Sequence, residues 1–204
     1  REYGSAEQGP YADDAALLLK HVEEHPDDPR ATYYLAQSYK DAGNLVEARK
    51  WYKRRTEMDN GWWEEKWHAL YRMAQCAQNL NLDFAIVMTE YLSAYQANFS
   101  RAEPLLCLAS YARAKNFLGV TAMAARQALT IQTPESNHLF VEAPAYDWPV
   151  ELEFSIAAYY TGDRKGGLES CQKLLQNPRL PAHVRERVES NIKFYKGELP
   201  LKVA

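Results

Sequence analysis

Apolar side chains recur at helical spacing along most of the chain. The pattern predicts a first amphipathic helix at about 13–24 and a last one at about 182–196, each with a single apolar side. Between them it predicts four helix pairs, at about 30–56, 64–97, 102–130 and 150–176. The expected fold class is therefore all-α, an α-solenoid of about four helix pairs with flanking helices.

A repeated unit underlies this pattern. In each predicted pair a large apolar residue is followed by a small one, at Leu35-Ala36, Met73-Ala74, Leu108-Ala109 and Phe154-Ser155. The small residues lie 38, 35 and 46 positions apart, a spacing typical of stacked helical repeats. We expect the small residue to let the second helix of the same unit pack closely, while the large residue fills the space between units.

The turns inside the pairs agree with this division. Gly43 and Gly162 lie where the first and fourth pairs must reverse direction, and glycine is favoured where a helix ends in a left-handed residue. The two middle pairs lack that glycine and have Asn79–Asp83 and Lys115-Asn116 instead. A proline- and aromatic-rich insertion, 133–149, separates the third pair from the fourth. Insertions of this length are often functional or closely packed on the surface.

Composition and charge limit the functions that remain. The net charge is −3 and the pI is near 6.0, which argues against a general nucleic-acid binder. No apolar run approaches the roughly 18 residues of a membrane span. Cys76, Cys107 and Cys171 are odd in number and widely spaced, so we expect reduced core thiols and a cytoplasmic setting.

The first pair resembles a tetratricopeptide repeat. The resemblance rests on the run from Ala31 to Tyr39 (ATYYLAQSY), followed by Gly43, Ala48 and Tyr52 in the usual order. Arg55 departs from the family pattern, which usually has alanine there. We interpret this arginine as either the end of the solenoid or one partner of a buried ion pair.

A second resemblance covers roughly residues 11 to 195. It is to the helical C-terminal region of bacterial family 2 glycosyltransferases that carry tetratricopeptide repeats. It rests on short phrases, among them DPR at 28–30, WYKRR at 51–55, GWWEE at 61–65, RAEP at 101–104 and YDW at 146–148. In such proteins the sugar-transferring domain precedes the repeats, and it cannot fit into residues 1–10. The chain also begins with arginine, so we interpret it as a fragment or processed form, with a tail at 1–10 and a repeat domain at 11–204.

The resemblance implies a non-catalytic scaffold that positions a glycan acceptor or a protein partner. Two alternatives stay open: a free-standing adaptor that binds a peptide or protein tail, and a self-associating module. For this chain we expect no catalytic residues, no cofactor and no metal. The acidic pairs Asp13-Asp14 and Asp27-Asp28 lie beside helix starts, where capping explains them better than metal binding. The five histidines, at 21, 25, 68, 138 and 183, are expected to be solvated surface residues.

An aromatic cluster leaves two interpretations open. Trp63, Trp67 and Tyr71 follow one another at four-residue spacing, with Trp62 beside them. This spacing favours a core stripe, but tryptophan and tyrosine are also enriched at binding hot spots.

The partner-binding groove is assigned from the tetratricopeptide resemblance, in which the first helix of each pair faces the inner surface. Its mixture of tyrosine, amide and basic side chains suits an extended peptide or polar chain, although an ordinary solvated face remains equally open. The matching positions are Arg30, Tyr33, Gln37, Lys40 and Asp41 in the first pair, His68, Tyr71, Gln75 and Asn79 in the second, and Glu103, Leu106, Ser110 and Arg113 in the third.

Overall fold

The computed structural model of the chain describes residues 10–135 and 139–198. All regular structure in these two ranges is helical. The α-helices are α1 (Pro10–Glu24), α2 (Pro29–Asp41), α3 (Leu45–Thr56), α4 (Trp63–Asn79), α5 (Phe84–Ala97), α6 (Glu103–Ala114), α7 (Leu118–Ala128), α8 (Pro149–Tyr160), α9 (Arg164–Gln176) and α10 (Ala182–Tyr195). The proposed N-terminal tail, apart from Pro10, and the predicted surface residue His138 lie outside the described residues.

The predicted fold class is confirmed. Helices α2 and α3, α4 and α5, α6 and α7, and α8 and α9 pack as successive pairs, and α3 and α7 also pack against the first helix of the next pair. Helix α1 packs on α2, and α10 packs on α9 and α8. Contacts group the chain into two compact units, 1–98 and 99–204.

In the N-terminal unit the small repeat residues allow the second helix of each pair to pack closely against the first. Ala36 and Ala74 are fully buried, as are Leu35 and Tyr52. Helix α2 begins with Pro29 in its first turn, where a missing N–H costs nothing, and the Asp28 carboxylate accepts a 2.9 Å hydrogen bond from the Ala31 N–H. Capping therefore explains this acidic residue. Asp13 lies in the first turn of α1, where a negative charge is favoured by the helix dipole, and Asp13 and Asp14 are both exposed.

Left-handed residues stand at the predicted turns. Gly43 and Gly162 have φ values of 81° and 87°, and in the middle pairs Asn81 and Asn116 take the same conformation at 51° and 63°. Asparagine tolerates this region better than other residues with a side chain. The two types of turn residue therefore give the same backbone reversal.

Arg55 differs from both sequence interpretations. The array continues past it, and its side chain is fully buried with Nη2 donating to the Trp62 carbonyl at 2.9 Å. No acidic side chain lies within ion-pair distance of it in the described parts of the chain. Instead it holds the loop before α4, where Gly61 has a φ of 84° and a Cβ would lie 2.6 Å from Pro29 Cγ. Only glycine fits this close approach.

In the C-terminal unit a buried ion pair anchors the insertion between α7 and α8. Arg101 and Glu103 are both fully buried, and Arg101 Nη2 donates to Glu103 Oε1 at 2.8 Å. Arg101 also donates to the carbonyls of Leu139 and Phe140 at 3.0 and 2.7 Å. The Tyr146 hydroxyl donates to Glu103 Oε2 at 2.6 Å. Residues 139–146 of the insertion are therefore held by hydrogen bonds to Arg101 and Glu103.

The three cysteines differ in burial. Cys76 and Cys171 are buried thiols, whereas Cys107 is only half-buried, so the core assignment is right for two of the three. None of the helices in the described ranges combines the length and the apolar character that crossing a membrane requires.

Candidate functional site

The face that α2 and α4 contribute to the predicted groove is partly buried. Tyr33, His68 and Tyr71 are at most 2% exposed, so their side chains are packed inside the N-terminal unit. For His68 this corrects the expectation of a solvated surface histidine. The reason is tertiary: the residue lies on the side of α4 that meets Tyr33 of α2.

A chain of hydrogen bonds runs from these buried residues to the surface. Tyr33 Oη lies 2.6 Å from His68 Nδ1, and Arg72 Nε donates to His68 Nε2 at 3.0 Å. Arg72 Nη1 then donates to Gln75 Oε1 at 2.6 Å. Because a guanidinium can only donate, His68 Nε2 must accept. The imidazole is therefore neutral, with its proton on Nδ1 and directed at Tyr33 Oη.

Arg72 was not among the predicted groove residues. It is half-buried, and its guanidinium lies 5.6 Å from the centre of the Tyr71 ring. The signal was in the sequence, since Arg72 follows His68 by four positions and precedes Gln75 by three. In the structure His68 and Gln75 lie beside Arg72 on α4, and their hydrogen bonds hold its guanidinium in one orientation.

The remaining predicted positions of this unit lie nearer the solvent. Arg30 lies 5.6 Å from the centre of the Tyr34 ring, Gln37 accepts a hydrogen bond from Tyr52, and Lys40 pairs with its neighbour Asp41 at 2.9 Å. Asn79 is exposed at the end of α4. With Arg72, the accessible part of the face carries three cations and one carboxylate. Its electrostatics favour a ligand that offers carbonyl or carboxylate oxygens.

The aromatic cluster is divided between the core and the surface. Trp67 and Tyr71 are buried, with ring centroids 5.9 Å apart and planes at 12°, and Trp67 Nε1 donates to the Ala94 carbonyl. Trp63, in contrast, is 52% exposed and Trp62 is 40% exposed. The single core stripe predicted from spacing is therefore wrong for Trp63, which lies in the first turn of α4.

In the C-terminal unit two of the four predicted groove residues are engaged in ion pairs. Glu103 is held by Arg101, as described above. Arg113 makes two bonds to Glu153, at 2.6 and 3.1 Å, and this hydrogen bonding raises the pKa of Arg113. Leu106 and Ser110 are half-buried. The assignment of these four residues to a binding groove stays a prediction.

A pocket of about 210 Å³ lies between α8 and α10 of the same unit. Three of its residues, Ile156, Tyr159 and Tyr160, stand in the same repeat register as Gln37, Lys40 and Asp41 of the first pair. The predicted groove stopped at the third pair and therefore missed them. The full lining is Ser155, Ile156, Tyr159, Tyr160, Asn191, Phe194 and Tyr195.

A metal-binding cluster is absent from the described parts of the chain, and the thiols of Cys76 and Cys171 are not reactive. The described ranges contain no group of three or more His, Cys, Asp or Glu side chains that could hold a metal ion. Burial raises the pKa of both Cys76 and Cys171 to about 11, which keeps these thiols protonated and unreactive at neutral pH.

Comparison with known proteins agrees with the fold. Residues 12–76 match the family model of the tetratricopeptide repeat, a stretch that spans α1 to α3 and most of α4. None of the curated proteins compared with the chain matches it in sequence.

Solved structures extend the likeness to most of the chain. YrrB, described as a TPR protein with an unusual peptide-binding site, aligns with a TM-score of 0.67 at 12% identity, over 90% of this chain and 84% of its own. MamA aligns with a TM-score of 0.63 at 16% identity, over 95% and 89%. The MamA fragment from Desulfovibrio magneticus RS-1 aligns with a TM-score of 0.57 at 14% identity, over 91% and 90%. At such identities the likeness shows a tetratricopeptide-type helical-repeat fold.

Proposed function

We propose that this tetratricopeptide-type scaffold binds an extended peptide across the exposed part of the α2–α4 face. The observation that carries the proposal is the hydrogen-bonded series Tyr33, His68, Arg72 and Gln75, which fixes a cation at the surface of α4. A side chain that is already oriented loses little conformational entropy when it binds. Arg72 is therefore prepared to donate to backbone carbonyls or to a carboxylate of the peptide.

The chemistry of the neighbouring residues supports a peptide ligand. Arg30 and Lys40 add positive charge, while Gln75 and Asn79 carry amides that can both donate and accept hydrogen bonds. Extended peptides present alternating carbonyl and N–H groups that such side chains can pair. The fold is shared with YrrB, which is described as having a peptide-binding site, and this likeness is consistent with the proposal.

Selection from a random peptide library tests the proposal. We expect panning of phage-displayed ten-residue peptides against the chain to enrich sequences that bind it in solution. Arg72→Ala should weaken those peptides about tenfold or more, because a hydrogen bond to a charged group contributes about 1.5–3 kcal/mol. Lys53→Ala, at an exposed site on α3, is the matched control and should leave the affinity unchanged. Equal affinities for the Arg72→Ala variant and the unaltered chain would contradict the proposal.

The biological setting is a second part of the proposal. The resemblance of short phrases to family 2 glycosyltransferases supports a module that positions an acceptor or protein partner for a transferase domain, in the cytoplasm. The coding sequence upstream of Arg1 tests this part. A family 2 transferase domain in the same reading frame supports it, whereas a start codon close to Arg1 favours the free-standing adaptor.

A further inference from the structure

The pocket between α8 and α10 has features of a site for one side chain. Its volume of about 210 Å³ is below the range of about 300–1,000 Å³ that is typical of small-molecule and cofactor sites. Its walls are mostly apolar and aromatic, and Tyr160 at the rim is 58% exposed. A bulky apolar side chain matches this size and chemistry.

Asn191 gives the pocket one unused hydrogen-bond donor. Its Nδ2 atom is buried, and no acceptor for it is present among the residues that the structure describes. A buried donor without an acceptor costs free energy, so it favours a ligand that brings one. A peptide brings a backbone carbonyl beside each of its side chains.

The pocket walls are held in place before any ligand arrives. The Tyr195 hydroxyl donates to the Ser155 carbonyl at 2.6 Å and joins α10 to α8. The Tyr159 ring packs edge-on against Tyr195 at 5.2 Å, and the Arg164 guanidinium lies 4.7 Å from the centre of the Tyr159 ring. Since these contacts fix the two helices, binding requires movement of the Asn191 side chain, whose Nδ2 atom is buried, rather than of the helices themselves.

We propose that the α8–α10 pocket binds one bulky apolar side chain of a partner peptide, with the Asn191 amide donating to the adjacent backbone carbonyl of that peptide. The proposal rests on the proposed peptide-binding function, but it concerns the C-terminal unit and other residues. The α2–α4 face selects oxygen atoms through cations, whereas this pocket selects an apolar side chain.

Minimal peptide models test the pocket without a known partner. N-acetyl-phenylalanine amide, N-acetyl-leucine amide and N-acetyl-glycine amide would be titrated into the isotope-labelled full chain and followed by NMR. We expect saturable shifts of the Asn191 side-chain amide and the Ile156 methyl groups with the first two probes and none with the glycine probe. Equal shifts with all three, or no shift at Asn191 at the solubility limit of the probes, would overturn the proposal.

Two variants separate the parts of the pocket. Ile156→Trp fills the space and should weaken binding of the phenylalanine probe at least tenfold, whereas Ile86→Trp, at an exposed site on α5, should not. Asn191→Leu should weaken the same probe about fivefold, the loss expected for one neutral hydrogen bond. Asn191→Leu should not lower the melting temperature, because the Nδ2 donor that it removes makes no hydrogen bond in the folded chain. Undiminished binding by both pocket variants would rule the site out.

The design distinguishes this proposal from the one above. Arg72→Ala should leave binding of the phenylalanine probe unchanged. If the pocket variants do not weaken probe binding but Arg72→Ala still weakens the selected peptides, only the pocket proposal is wrong.

A second copy of the chain is the competing occupant of the pocket. A concentration-dependent mass in light scattering that Ile156→Trp abolishes would show that another copy fills the pocket, and the peptide proposal would then be wrong.

Discussion

Arg72 links the buried and exposed parts of the α2–α4 face. Its guanidinium contacts His68, which is inside the N-terminal unit, and Gln75, which is closer to the solvent. Tyr33 completes the series from α2. The face therefore combines residues that support the fold with residues that are accessible to a ligand, and substitutions at the two kinds should have different effects.

Tyr33→Phe tests the supporting role. It removes the hydroxyl that contacts His68 and should lower the free energy of unfolding by about 1 kcal/mol, the usual contribution of one hydrogen bond. Urea denaturation measures this difference. Tyr34→Phe, at a neighbouring residue that is 44% exposed, is the control and should have no comparable effect. Equal destabilisation by the two changes would argue against the buried contact.

The buried thiols predict a loss of stability at alkaline pH. Burial raises the pKa of Cys76 and of Cys171 from 9.0 to about 11, so the folded state holds these protons more tightly than the unfolded state. Their contribution is complete below pH 9 and is lost as the pH rises to about 11, by roughly 1.4 kcal/mol per pH unit for each thiol. In urea denaturation across this range, the Cys76→Ala/Cys171→Ala double variant should lose less stability than the unaltered chain. Cys107→Ala should behave like the unaltered chain, and an equally steep loss in the double variant would contradict the assignment.

At the scale of elements, Gly167 allows α10 to dock. A Cβ at this position would lie 1.9 Å from the Tyr195 hydroxyl, so Gly167→Ala should displace α10 and cost about 1–3 kcal/mol. Hydrogen exchange over 182–195 should rise in this variant. Gly119→Ala is the matched control, because nothing lies within 4 Å of its Cβ position inside α7. It should stabilise the chain by up to about 1 kcal/mol. Unchanged exchange in Gly167→Ala would show that the contact does not hold α10.

The insertion before α8 should depend on its buried ion pair. Glu103→Gln removes the carboxylate that Arg101 contacts, and breaking such a pair typically costs about 3–5 kcal/mol. We expect faster hydrogen exchange over 139–148 together with a lower melting temperature. Arg126→Ala breaks an ion pair to Asp163 in which the arginine is 60% exposed, and should cost less than about 1 kcal/mol. Similar losses in the two variants would contradict the anchoring role.

At the scale of the whole molecule, the repeat architecture could be predicted because it depends on local spacing. The large–small pairs and the turn residues determine where helices begin, end and pack, and these features are visible in the sequence. Burial of single polar residues could not be predicted in this way. His68 and Glu103 each occupy a groove position in the repeat, but a tyrosine from α2 or an arginine from the preceding loop encloses them.

The candidate sites were predicted only in part for the same reason. Arg72 becomes a site residue through contacts made by its neighbours, and the α8–α10 pocket exists because Tyr195 brings a flanking helix onto α8. Spacing alone gave the positions in the first three pairs. Spacing did not indicate which side chains at these positions are buried or hydrogen-bonded within the fold.

Peptide binding on the α2–α4 face is tested by the binding footprint of a library-selected peptide on the isotope-labelled chain. We expect NMR shifts and line broadening to concentrate on α2 and α4 and to include the Arg72 side chain. Saturable binding with a footprint confined to α3 and α5, and with the Arg72 signal unchanged, would contradict peptide binding on this face.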